Sequence, residues 1–307
     1  MMNFLSFVFS TSFDWCEQAH QKRWLERGVV RLAAWGFVIH LVLIALASSF
    51  QTLQTGILAG LDRNFLHALY TPFSFILFYE VLLLVIALPR SQTSSMGKQY
   101  EIVSLIVIRR VFKDIGEFRS PVGWLTQKDD SFMVIADMFA AVFMFLLVTG
   151  FRHIRQSVVH ARSHEQLHQF LAIKKSVAGF LCIILVILAG WNFGQWLIRI
   201  VAAPLGYREE GVDLDVYFFP TFFEFMIFAD VLLLILSIPF YERYEYVFRN
   251  AGFVISTILL RLSLSTPKPY DLIIGVVAMI YGLCVLGVFS YFTRINQADD
   301  AGELETG

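Results

Sequence analysis

Residues 78–89 read FYEVLLLVIALP and residues 228–239 read FADVLLLILSIP. Each stretch sets one acid, Glu80 or Asp230, into an aliphatic run that ends nine residues later at a proline, Pro89 or Pro239. Neither alternates polar with apolar, so they read as enclosed helices rather than half-exposed strands. The remaining composition says what encloses them. Of 307 residues, 57% are hydrophobic and 16% charged, where a soluble domain carries about 25% charged residues. Phenylalanine alone contributes 31 residues, and mean hydropathy is +0.64. A soluble globule could not hide so much apolar side chain, because much of its surface must face water. That excludes a soluble enzyme, a nucleic-acid binder and a disordered chain, and predicts an all-α polytopic membrane protein. A net charge of −1 leaves no basic field for nucleic acid.

Six apolar runs approach or exceed the roughly 18–20 residues that cross a bilayer: 30–50, 71–88, 132–150, 176–198, 217–238 and 272–292. Segments 100–112 and 247–264 are shorter or carry charge, so the count is six without them and eight with them. Loop charge favours eight. The connector holds Arg152, Arg155, Arg162, Lys174 and Lys175 against Glu165, and the N-terminal flank holds Lys22, Arg23, Arg27 and Arg31. Positive-inside bias wants both in the cytoplasm, hence an even number of spans between them. The next connector, with Glu209, Glu210, Asp213 and Asp215, suits the outside. Both termini are then expected inside. Residues 1–13 lack a basic flank and read as mature chain rather than a secretory signal.

The two opening stretches belong to a longer self-similarity. Residues 104–110 (SLIVIRR) align with 255–261 (ISTILLR), and Asp130 and Asp271 each open a last helix, the offset staying between 141 and 152. This predicts a tandem repeat of a four-helix unit. With an even number of spans per unit, the copies run parallel, related by an axis along the membrane normal. The expected divisions are 1–29, a cytoplasmic segment with an interfacial or lead-in helix; 30–151, the first repeat; 152–175, a His/Arg-rich connector; 176–293, the second repeat; and 294–307, an acidic disordered tail.

The acid of Phe78-Tyr79-Glu80, the aliphatic run into Arg109 with Asp114 after it, and the Asp271-Leu272-Ile273-Ile274 helix start resemble the phosphate-starvation-inducible PsiE family of small bacterial inner-membrane proteins. The second copy is similar through Asp230, Arg261 and Lys268-Pro269-Tyr270-Asp271. The resemblance covers about two-thirds of the chain, which departs from the family in holding two fused copies and in inserting residues 116–127. It implies a bacterial inner-membrane location and a four-helix unit more than an activity.

The candidate functional residues are the intramembrane charges. Glu80 and Asp230 sit nine residues, about 13 Å, above the cytoplasmic prolines. Arg109 lies eleven residues past Lys98 and Arg261 twelve past Arg249, about 16–18 Å in from the same side, with Arg110 beside the first. Acid and base therefore meet at similar depth in both copies. A lone charge at mid-span costs about 2.5–3.5 kcal/mol, so the pairs either pin helices together or line a path for protons or cations. A voltage sensor would repeat its arginines more regularly than Arg109-Arg110-x-x-Lys113 does. His40, Asp137 and Glu224 are further polar residues within apolar runs.

His153, His160, His164 and His168 fall on one face if the connector is helical, which offers transition-metal chelation or pH sensing beside the plainer reading of a polar helix on anionic lipid. The chain has no GxxxxGK[ST], GxSxG or GxGxxG motif, while residues 164–168 read HEQLH, which matches the HExxH spacing. Cys16, Cys182 and Cys284 are odd in number and far apart in sequence, arguing against a disulfide framework. The expectation is a non-enzymatic protein without cofactor, its partner the lipid bilayer and either a second protein or another copy. Two functions fit: an ion or proton conduit, or a stress-response scaffold whose ion pairs are structural.

Overall fold

The computed structural model describes residues 11, 13–18, 23–49, 65–117, 128–156, 166–202, 214–240 and 243–306. These residues are helical apart from short turns and include no strand. Among them, eight long helices follow in order: α1 (Trp24–Ser49), α2 (Tyr70–Ala87), α3 (Gln92–Glu117), α4 (Lys128–Gln156), α5 (Gln166–Ala202), α6 (Leu214–Ser237), α7 (Tyr244–Ser265) and α8 (Tyr270–Thr306).

The ends follow the prolines. Pro89 cannot donate a backbone hydrogen bond and its ring would crowd the preceding turn. So α2 stops at Ala87, and the Leu88 amide closes a tighter turn onto the Val85 carbonyl at 3.1 Å. Pro239 does the same for α6, which ends in the 3-10 turn Ile238–Phe240. Beyond α7, Thr266 is extended ahead of Pro267.

Among the described residues, six stretches are long and apolar enough to cross a membrane: Trp24–Leu46, Ser131–Gln156, Phe170–Trp191, Pro220–Phe240, Tyr244–Ser265 and Tyr270–Ile295. They mark a multi-pass membrane protein. They are not the six plain apolar runs of the sequence. The charged segment around 247–264 extends into the full-length helix α7, whereas the apolar part of α2, Thr71–Ala87, is cut short by Pro89. The large apolar side chains left outside the packed interior, among them Trp35, Val42, Phe139, Phe145 and Phe228, suit lipid contact.

Each helix packs on the next within both halves, α1 to α4 and α5 to α8. Across the halves, α3 packs on α7, α4 on α8 and α2 on α5. α3 is amphipathic: Met96, Tyr100, Val103 and Val107 face a core completed by Met144 and Phe151 of α4, Phe253 and Leu260 of α7, and Met279 and Leu286 of α8. A second core joins Val81 and Val85 of α2, Leu181 and Leu185 of α5, and Phe222 and Met226 of α6. Close approach at the seam depends on Gly282, where a methyl group would overlap the Tyr100 hydroxyl.

Three regions add to the sequence expectation. Residues 13–18 form a helical segment, as either expected form of that region has it, and Arg23, just before α1, takes a left-handed conformation at φ 52°. That segment docks on α5 through buried Phe13 and an Asp14–Lys175 bridge of 2.9 Å, which also brings Cys16 beside Cys182, both free thiols. The connector 152–175 is narrower than its polarity suggested, because α4 runs on to Gln156 and α5 starts at Gln166. The acidic tail, expected to be disordered, continues α8 as helix to Thr306, where its Ala, Glu and Leu residues favour that state.

Candidate functional site

Both predicted charge pairs form. Arg109 of α3 bonds Glu80 of α2, and Arg261 of α7 bonds Asp230 of α6. Arg261 also donates to the Met226 carbonyl at 2.7 Å and approaches the Gln99 side-chain oxygen of α3 at 3.5 Å. The Thr257 hydroxyl lies 2.9 Å from both an Asp230 oxygen and the Val254 carbonyl, and can donate to one at a time. Arg261 and Asp230 have side chains only 2% and 6% exposed, against 30% and 4% for Arg109 and Glu80. Glu80 Oε2 and Arg261 Nε are buried without a hydrogen-bond partner.

Arg110 behaves differently from Arg109. One residue further along a helix is about 100° around it, and from there Arg110 leaves α2 and bonds Asp271 at the start of α8, across the halves. Nearby, Lys268 in the α7–α8 turn bridges Asp114 of α3 at 2.5 Å and Asp137 of α4 at 2.8 Å. Two cations and three carboxylates thus hold the halves together, and Asp271 Oδ1 remains buried without a partner. Burial draws the Lys268 pKa down, but its hydrogen bonds to Asp114 and Asp137 outweigh this and hold it above the ordinary lysine value.

Of the other residues singled out, Asp137 is buried and belongs to this bridge. His40 Nδ1 meets the Thr71 hydroxyl at 2.6 Å, joining α1 to α2. Glu224 is exposed on α6, and His153 is exposed near the end of α4. His160 and His164 lie outside the described residues, and His168 falls in the first turn of α5. Among the described residues, no group of three or more His, Cys, Asp or Glu is placed to hold a metal ion.

Sequence reasoning missed the partners of the seam. Lys268, Asp114 and Asp271 stood out only as shared motif positions, and nothing in their spacing links one half to the other. It also missed Tyr100, whose hydroxyl meets Ser256 at 2.8 Å and lies 3.2 Å from the Met279 carbonyl. Glu101 escaped it too, although Lys98 at 2.7 Å and Arg152 of α4 hold its carboxylate.

A small cavity lies beside the second pair, just inside the α2–α3 turn. Its volume of about 20 Å³ is enough for one or two water molecules. Its polar lining is Gln92, Ser95 and Gln99 of α3, Lys174 of α5, Asp230 of α6 and Thr257 of α7. Lys174 is 4% exposed, donates to the Arg90 carbonyl at 3.2 Å and sits 4.9 Å from the centre of the Phe170 ring. No family model, no curated protein and no solved structure matches the chain.

Proposed function

We propose that this chain is a non-enzymatic inner-membrane protein of eight spans, built as two parallel PsiE-like four-helix repeats with both termini in the cytoplasm. On this reading it conducts protons or small cations along its intramembrane charges. The eight long helices support the span count: α3 is about 39 Å long at 1.5 Å per residue, and α2 packs between α1 and α3. The repeat is supported by the contacts of corresponding helices, α3 with α7 and α4 with α8, as an axis along the membrane normal requires. The observation that carries conduction is the polar cavity at Asp230, which gives a mid-membrane acid a neighbour other than its arginine.

Ion and proton flux into liposomes tests this, comparing the native protein with a Glu80→Gln, Asp230→Asn double variant. The expected result is native flux that the folded variant lacks. The closed bridges across the seam favour a second reading, a membrane scaffold for a stress-response partner. A scaffold would be silent under every gradient and would tolerate Glu80→Leu combined with Arg109→Leu.

A further inference from the structure

The cavity beside Asp230 identifies the ion, resting on the conduction reading above. We infer that it is a water-filled inlet at the end of the bundle bearing the α2–α3 turn, and that the species passing through it is the proton.

The lining explains both points. Lys174 is buried, and its ammonium has three hydrogens, of which the structure gives one an acceptor, the Arg90 carbonyl. Of the other two, one can point at the Phe170 ring 4.9 Å away and the last needs an oxygen acceptor, for which the adjoining volume has room for water. Gln92, Ser95, Gln99 and Thr257 supply the further polar contacts that such waters require. A dry cavity would leave a buried cation underbonded at considerable cost.

The same lining turns metal cations away. A sodium-like or calcium-like ion wants several oxygen ligands with net negative charge among them; Gln92, Ser95, Gln99 and Thr257 offer oxygens here, and what is missing is the uncompensated charge. Among the described residues Asp230 is the one carboxylate lining the cavity, and Arg261 already holds it. Lys174 adds a positive charge, and Arg249 is the further cation whose field it feels. A proton needs none of that coordination. It leaves a hydronium in the cavity and joins an Asp230 oxygen, and neutral water remains. Arg261 then keeps the Met226 carbonyl and the Gln99 oxygen as acceptors but loses its counter-charge, so the neutral state of Asp230 is the less stable one and the proton is passed on. Thr257 from α7, Gln99 from α3 and Lys174 from α5 are further polar groups around the acid.

The test is flux through the full-length protein in liposomes, read with a pH-sensitive dye and, separately, with sodium and potassium indicators. The expected result is proton flux without sodium or potassium flux. Asp230→Asn should lower it by roughly a hundredfold or more, and Lys174→Met should lower it and shift its pH profile. Infrared spectra of the same samples, acidified in heavy water, should show a deuterated carboxyl band that rises without lag and is missing in Asp230→Asn. Sodium or potassium flux at or above the proton rate overturns the inference while conduction stands. Silence of the folded protein toward every ion removes conduction and the inference together. An Asp230 carboxyl that resists exchange overturns the inlet whatever the flux.

Discussion

The two halves contain the same kinds of charge at the same depth and use them differently. Glu80 and Asp230 are about equally buried, with side chains 4% and 6% exposed, so the difference lies in their cations. Arg261 is enclosed, with a backbone carbonyl and a glutamine oxygen around it besides its acid. Arg109 is 30% exposed and makes one bond, to Glu80. By alignment the counterpart of Arg261 is Arg110, not Arg109. Arg110 is free to bond Asp271 of the other half because its neighbour has taken over the bond to α2. A doubled arginine thus lets the first half pair with an acid of its own and with one of its partner, whereas Arg261 pairs only with the acid of its own half and meets the other half through Gln99.

The largest effect should separate the two pairs. Arg261→Leu leaves Asp230 buried without a cation, a loss of about 3–5 kcal/mol. Arg109→Leu opens a less enclosed site and should cost roughly 1–3 kcal/mol. Unfolding of the purified protein in mixed micelles measures both, and equal losses would erase the distinction. Adding Asp230→Leu to Arg261→Leu should recover much of the stability, since the stranded carboxylate is the main penalty.

Lys268→Met comes next, at about 2–4 kcal/mol, because it leaves Asp137, itself 1% exposed, beside Asp114 with no shared cation. The loss should be smaller in an Asp137→Leu background. An unchanged loss there would mean that the bridge is not what joins the halves.

Physical chemistry explains how much of this could be read from residues alone. Composition and unbroken apolar runs give the membrane class and most helices, because burial in lipid selects both. Depth arithmetic brings Glu80 to the height of Arg109 and Arg110, and Asp230 to that of Arg261, because adjacent antiparallel helices share their levels. The seam is different. Whether Arg110 turns toward α2 or toward α8, and whether Lys268 reaches Asp114 or Asp137, depends on how the halves dock. No periodicity within either half encodes that. The docking of residues 13–18, and with it the meeting of Cys16 and Cys182, was hidden for the same reason.

Gly282→Ala probes the seam where it is tightest. The new methyl would overlap the Tyr100 hydroxyl and lie about 2.8 Å from Ser256 Oγ, so the halves must shift, at a cost of roughly 1–3 kcal/mol. Tyr100→Phe in the same chain should return part of that loss. Strict additivity of the two would show that the seam is already loose there.

The smallest effect is the pH dependence of the bridge. Lys268 has a folded pKa raised by two carboxylates, against about 10.4 for a free lysine. A cation raised in this way contributes stability in full below the unfolded value and loses it as pH rises through the folded one. The loss therefore falls in the alkaline range, at no more than about 1.4 kcal/mol per pH unit. Other lysines and tyrosines titrate there too, so the informative quantity is the difference from Lys268→Arg, whose guanidinium stays charged. If that variant keeps both carboxylate contacts, its melting temperature should fall less steeply with alkaline pH than the native protein's. Parallel curves would mean that the ammonium is not what holds Asp114 and Asp137 to the second half.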